Sequence, residues 1–140
     1  MATALDSHGQ AQGMTASAVA SVSLQPPLVL ICVAHAADFH AAMNTAKTFA
    51  LNVLSSEQER VSRRFAEDRK DKFDTVSFRA GPAGVPLLDG AIAHVVCEKD
   101  GAHEAGDHTV FIGRVTGGES FGGRPLVHFR GGYSTTSGAG

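Results

Sequence analysis

Long apolar runs are missing from this chain. The longest, Leu28 to Ala34, is far shorter than the roughly twenty residues a membrane-crossing helix needs, and no secretory signal precedes it. An excess of charge of one sign is missing too. Twelve Lys and Arg stand against 14 Asp and Glu, for a net charge of -2, which provides no basic surface for nucleic acid. Cysteine is scarce. Cys32 and Cys97 each sit inside an apolar run, which argues for two buried thiols in a reduced, intracellular protein rather than a disulfide. Several catalytic signatures are absent as well: no P-loop, no Gly-x-Gly-x-x-Gly, no Gly-x-Ser-x-Gly elbow and no Cys-x-x-Cys pair. Any nucleotide must therefore be held without a Rossmann unit. Seven histidines invite a metal, but His103 to His108 is one residue too long for the two-histidine zinc-protease motif, and Gly106 would interrupt its helix. His35 and His40 could share an ion only through the fold, so no metal site is expected.

What is present suits one domain with a real core: 140 residues, 43% of them hydrophobic. The most informative stretch is Gly13 to Leu24, closed by Gln25-Pro26-Pro27. Its even positions, Met14, Ala16, Ala18, Ala20, Val22 and Leu24, are apolar. Its odd positions are mostly Thr and Ser. A period of two predicts one strand with a buried face and a polar face. Because that polar face has no long charged side chain, a ligand could lie close to the backbone and still find hydroxyls. A half-exposed, Ser-rich edge strand fits the same pattern.

Ahead of it, a short strand ending near Leu5 leads into an Asp6–Gly9 turn and is expected to be poorly tied down. Leu28 to Ala34 reads as a strand buried on both faces, begun by the two prolines. Asp38 opens a short Ala-rich helix through Ala46, and Thr48 to Leu54 is another strand. The clearest helix begins at Ser55 or Ser56, whose spacing to Gln58 or Glu59 is that of a capping box. Arg63 and Arg64 suit its negative end, and Val61 and Phe65 share its docking face. Lys70 to Asp74 suggests a helical turn. Leu87 to Gly90 is a turn signal, and Ala91 to Glu98 and His108 to Val115 are strands separated by a polar loop. Gly117-Gly118 and Gly122-Gly123 bracket a further loop before Pro125 to Phe129. One domain is expected over residues 1–133, with a disordered tail over 134–140. Many short strands with one good helix indicate a β-barrel with helical additions.

Two features bear on chemistry. Gly106-Asp107-His108 sets a histidine at the mouth of a strand. Phe129-Arg130-Gly131-Gly132-Tyr133 combines an aromatic ring and a cation with glycines that allow close approach.

In order, these segments resemble the flavin-reductase-like family. The matching residues are Gly13-Met14-Thr15-Ala16-Ser17 running into Ser21 to Leu30, Phe49 to Leu54, Arg64-Phe65-Ala66 with Lys72-Phe73, and Val85 to Ala91. The set ends with Ala105 to Gly113 and Arg130 to Tyr133. The resemblance implies a mainly β fold, the FMN-binding split β-barrel with one or two short helices. It also implies a cytoplasmic homodimer that moves a hydride from NADH or NADPH to FMN or FAD and passes reduced flavin to a partner monooxygenase. By similarity, Thr15, Ala16, Ser17 and Ala18 meet the flavin. Asn52 and the residues after Cys32 lie along its ribityl and phosphate side, and Ser21, Ala34 and His35 complete the cofactor-binding set. His108, the catalytic candidate, faces the nicotinamide with Tyr133, and Arg130 is a nearby phosphate contact. No acid or base is needed for the hydride to leave.

Two departures stand against the pattern. Ala37 and Phe39 occupy positions where the family usually has a Ser and a Thr, in the loop expected to hold the flavin phosphate; His35, His40 or Lys47 would have to substitute. The family also usually has a helix and most of a first strand ahead of Thr3, so the first strand is expected to be truncated, leaving a barrel edge unpaired. A flavin-binding electron carrier or vestigial subunit without turnover, and a structural dimer with an empty cleft, are the competing readings.

Overall fold

The computed structural model describes residues 1–137. Its strands are β1 (Ala2–Leu5), β2 (Ala11–Met14), β3 (Val19–Leu24), β4 (Pro27–Ala34), β5 (Thr48–Val53) and β6 (Phe78–Ala80). They continue with β7 (Pro86–Leu88), β8 (Ala93–Ala105), β9 (His108–Ser120), β10 (Leu126–Phe129) and β11 (Gly132–Thr135). Helix α1 (Asp38–Thr45) lies between β4 and β5, and α2 (Glu59–Ala66) follows β5. Among the described residues, no helix is long and apolar enough to cross a membrane.

Seven strands form one sheet in the order β2-β1-β5-β8-β9-β4-β3, every neighbouring pair antiparallel. Strands β2 and β3 are thus at opposite edges, yet only Thr15 to Ala18 separates them. Laid flat, seven strands would put those edges about 29 Å apart. Five Cα steps reach at most about 18 Å. The sheet therefore has to roll until its edges approach, which is the split-barrel architecture expected from the sequence. The crossing is pinned where it leaves β2. Thr15 N–H donates to Phe65 O, and the Thr15 hydroxyl donates to Ser62 O at 2.6 Å, both on α2. Where it joins β3, Ala18 O accepts from Cys32 N–H of β4. Gly13 has no side chain because a Cβ there would stand 2.8 Å from the ring edge of buried Phe65.

The reading of Gly13 to Leu24 as one strand is therefore corrected. It comprises the end of β2, a crossing and all of β3. The face predicted to be buried is open along β3, where Leu24 is 90% exposed and Val22 47%. A period of two reports alternation, but not which sheet edge a residue joins. Strand β4 is buried on one face only, through Ile31 and Val33, while Leu30 and Cys32 on its other face are half-buried.

The expectation for the first strand also changes. Rather than being loosely held, β1 is paired on both sides, with β2 and β5, and Ala2, Thr3 and Ala4 are fully buried. Strands β8 and β9 run far longer than expected. The predicted polar loop through Gly101 and the Gly117-Gly118 loop both lie within strand, joined by a tight turn at Gly106-Asp107, where Gly106 has φ 65°. Helix α2 starts at Glu59 rather than Ser55. Only the reciprocal half of the capping box forms, from Ser55 N–H to Gln58 Oε1. The boundary expected at Tyr133 falls inside β11, which continues through Thr135; residues 138–140 of the expected tail lie outside the described residues.

Phe39, Phe49 and Phe111 fill the main core with Ile31, Val33, Met43 and Cys97. Burial pushes the Cys97 thiol up to about 11, so it is inert at neutral pH, and neither cysteine is in a disulfide. A buried polar network ties three strands together. Asn52 donates to Thr3 Oγ1 at 3.0 Å and accepts from Leu88 N–H at 2.9 Å, while the Thr3 hydroxyl donates to Pro86 O at 2.6 Å. Asn52→Leu orphans the Leu88 amide and removes the donor to Thr3, so urea unfolding without ligand is expected to show a loss of about 2–3 kcal/mol. Gly13→Ala forces Phe65 out of place and is expected to cost about 1–3 kcal/mol in the same assay.

Candidate functional site

The sequence-derived residues fall into two adjoining groups. Thr15, Ala16, Ser17, Asn52 and Tyr133 line a cleft of about 480 Å³ between the crossing, β5, α2 and the β10-β11 hairpin. Ala34, His35 and His108 lie together at the ends of β4 and β9, where Ala34 pairs directly with His108 and His35 N–H donates to Asp107 O. Ala18, bonded to Cys32 of β4, links the two groups. Ser21 and Arg130 join neither. Ser21 lies exposed on β3 opposite Val29. Arg130, with φ 51°, turns the β10-β11 hairpin and stacks its guanidinium over Phe129, 5.2 Å from the ring centre.

Within the cleft several polar groups are already engaged. The Thr15 hydroxyl is bound to Ser62 O, the Asn52 amide to Thr3 and Leu88, and the Tyr133 hydroxyl shares a 2.9 Å hydrogen bond with Ser62 Oγ. Ser62 is thus a node that the sequence reading missed. It is buried on α2 beside Phe65, three residues away, a spacing that could have placed it on the docking face. Ser17, Ala16 and Ala18 are the crossing residues left to meet a ligand. They are small, so a planar group could approach the backbone closely.

At the strand mouth, His108 Nδ1 stands 2.7 Å from Asp107 Oδ1. The carboxylate only accepts, so Nδ1 carries the proton, and Nε2 has no partner among the described residues. That contact holds the Asp107 carboxyl below its usual range. Beside it, His35 Nε2 lies 2.6 Å from Glu104 Oε2, while Glu104 Oε1 accepts from the buried Thr109 hydroxyl, which in turn accepts from His40 Nε2. The Thr109 hydrogen bond is the main cause that lowers the Glu104 pKa. His35 and His40 stack edge-on with ring centres 5.1 Å apart, each engaged with a different partner.

Helix α1 begins just after this loop. Its N-cap is Ala37, with no side-chain cap, and Asp38 occupies its first turn. Lys72 stands near this end. It lines a hollow of about 290 Å³ with Asp38, Phe39 and Arg69, and its ammonium has only long contacts, 3.4 Å to Gly13 O and 3.3 Å to Phe65 O. Burial lowers its pKa. Lys72 belongs to one of the family-like segments of the sequence, where nothing in its local pattern marks it as a ligand contact. Lys47, offered as a phosphate substitute, instead lines a hollow with Leu5, Asp6 and Thr45, beyond the far end of α1. Uncapped amides beside a partly desolvated cation suit an anion, although Asp38 opposes it.

Comparison with known proteins agrees with this architecture. Residues 1–137 match the family described as flavin reductase like domain. A Rhizobium meliloti protein named "Probable flavin reductase" is 43% identical over 133 residues, covering 95% of this chain and 43% of the relative. The stachydrine N-demethylase reductase subunit of the same organism is 42% identical over 135 residues, covering 96% of this chain and 59% of its own. The chain therefore spans about half the length of these curated relatives. The solved structure of Streptomyces globisporus NADH:FAD oxidoreductase in complex with NAD and FAD fragments superposes with a TM-score of 0.91 at 38% identity, covering 97% of this chain and 82% of that one. With its rolled sheet and nearly full-length match, this chain belongs to the flavin reductase like domain family.

Proposed function

We propose that the chain is an NAD(P)H-dependent flavin reductase that moves a hydride from a reduced nicotinamide to FMN or FAD. The observation that carries this reading is the crossing at Thr15–Ala18. Thr15, Ala16 and Ser17 form one wall of a cleft, and Ala18 bonds to Cys32 of β4, the strand whose Ala34 pairs with His108 of β9. When bound, the flavin supplies the hydride acceptor, so the chain has to hold two rings together and exclude water. The cleft is within the size range of small-molecule sites.

Ala16 and Ala18 let a planar ring reach the backbone, and Ser17 offers a free hydroxyl. Thr15 and Asn52 act at one remove, as positioning residues that hold the crossing and β5. Ala34 and His35 border the ring, and the α1 amides with Lys72 hold the phosphate. His108, oriented by Asp107, turns Nε2 toward the nicotinamide, with Tyr133 as a further wall. A flavin-holding module without turnover is the second reading. It is favoured by Asp38, whose carboxylate opposes a phosphate at a helix start that carries neither hydroxyl at Ala37 nor at Phe39.

A homodimer is proposed on the open edge strand β3, where Val19, Val22 and Leu24 are exposed beside the half-buried outer side chains Leu30, Cys32, Val110 and Ile112. A monooxygenase partner is proposed because relatives from Rhodococcus jostii and Mycobacterium tuberculosis are named as the reductase subunit of a flavin-dependent monooxygenase. Two free thiols and the supply of reduced nicotinamide support a cytoplasmic site.

Mixing the purified protein with NADH or NADPH and FMN or FAD is expected to bleach the nicotinamide band; no oxidation in any of the four pairings overturns the enzyme. A yellow complex that is not reduced would favour the module. His108→Ala is expected to slow hydride transfer or raise the nicotinamide requirement about tenfold, the scale of one hydrogen bond, with FMN affinity little changed. Light scattering is expected to give twice the 14.5 kDa chain mass, and Val22→Glu with Leu24→Glu to halve it; a monomeric unaltered protein overturns the dimer.

A further inference from the structure

Beyond the Ser55–Pro125 bridge a second cleft of about 770 Å³ opens, but the most extended chain of bonded side chains lies at the strand mouth. Asn44 and His40 of α1, Thr109 of β9, Glu104 of β8 and His35 of the loop after β4 are linked in that order. The direction of each bond follows from Glu104, whose carboxylate only accepts. Its Oε2 takes the proton of His35 Nε2 at 2.6 Å, and its Oε1 takes the hydroxyl proton of Thr109 at 2.9 Å. The one hydrogen of Thr109 is then used, so its oxygen accepts from His40 Nε2 at 2.8 Å. His40 Nδ1 is left bare and accepts from the Asn44 amide at 3.3 Å. One carboxylate thus decides where the proton sits on two histidines.

Both ends of the chain hold the same short stretch. His35 and His40 flank residues 36–39, which lead into α1, and their rings meet edge-on at 5.1 Å. That stretch has little directional support of its own. Ala37, the N-cap, makes no side-chain cap bond, and the burial of Phe39 sets the depth of the turn without aiming it. Neither residue brings a hydroxyl to a phosphate, so the first-turn amides beside Lys72 are what remains for one, and their aim depends on how the turn is held. Glu104 holds it from outside the helix, as a cap residue would from within. Thr109, which carries one of its two ties, is 1% exposed and is paired with Val33 and with Glu104 itself in the sheet, so the anchor is rigid. Both histidines face this chain rather than the helix start, which corrects their reading as direct substitutes for the missing hydroxyls.

We propose that Glu104 is a positioning residue of the flavin site, fixing the first turn of α1 so that its amides meet the flavin phosphate. The identity of the anion rests on the flavin-reductase reading; the hydrogen-bond chain does not. The Glu104 side chain is 71% exposed, so its loss removes an aim rather than a share of the core, and Glu104→Ala is expected to leave the melt unchanged.

Nitrogen NMR of the histidines in the flavin-free protein at neutral pH is expected to show a proton on Nε2 of His35 and of His40, with His40 Nδ1 bare; a proton on His40 Nδ1 overturns the chain. FMN and riboflavin, which differ only by the phosphate, are then titrated by quenching of their fluorescence. Glu104→Ala and the isosteric Thr109→Val are each expected to weaken FMN about tenfold and riboflavin less than about twofold. Glu104→Gln is expected to recover FMN affinity to within about threefold, because its carbonyl still accepts from Thr109 and its amide donates to His35 once that ring carries its proton on Nδ1. FMN affinity undiminished in Glu104→Ala, an equal loss for the two flavins, or no recovery in Glu104→Gln overturns the positioning role and leaves flavin binding standing. If the unaltered protein takes up neither flavin, the flavin reading falls and the role of Glu104 falls with it.

Discussion

The reach of four residues governs this structure. Thr15 to Ala18 must join strands at opposite edges of a seven-stranded sheet, and they can do so only because the sheet is rolled. Antiparallel pairing supplies the roll through its twist. Once the edges approach, the crossing closes the gap between them without forming a ladder, so its side chains are not committed to either face. A chain segment that is structurally necessary and conformationally free of a sheet is a natural ligand wall.

The candidate site is divided between groups that hold and groups that remain available. Ser62 anchors the crossing through its carbonyl and the terminal hairpin through its hydroxyl, so α2 sets the spacing between the two sides of the cleft. Asn52 performs the equivalent task beneath, joining β5 to β1 and β7. Along the crossing the residues left to contact a ligand, Ala16, Ser17 and Ala18, are small, and at the strand mouth the orientation of His108 is set by its neighbour Asp107. Such a site suits chemistry carried by a cofactor, where the protein contributes shape and position.

Much of the strand and helix content was legible locally. β5, β10, the start of β9 at His108 and helix α1 fall within a residue or two of the expected limits, because each has a strong apolar pattern and a clear boundary signal. The failures share a cause. Gly101, Gly117 and Gly118 read locally as loop markers, yet β8 and β9 pass through them, since long antiparallel neighbours tolerate glycine at bulges and close approaches. The Gly13–Leu24 alternation continued through a crossing because Ala, Ser and Thr are small enough to suit either environment.

The sequence alone determined the kind of protein: a mainly β chain with free thiols, no membrane helix, no Rossmann unit, and an ordered set of motifs that identifies its family. The family resemblance also pointed to the crossing residues and His108, through the order of the motifs that contain them rather than through residue type. Only the tertiary structure decided that Thr15 and Asn52 are engaged in holding the fold, that Ser62 lines the candidate cleft and Lys72 a hollow beside α1, and that a second cleft lies beyond the Ser55–Pro125 bridge. Each of these depends on contacts between residues far apart in the chain, and a hydrogen-bonding group's availability is a property of its neighbours rather than of its type.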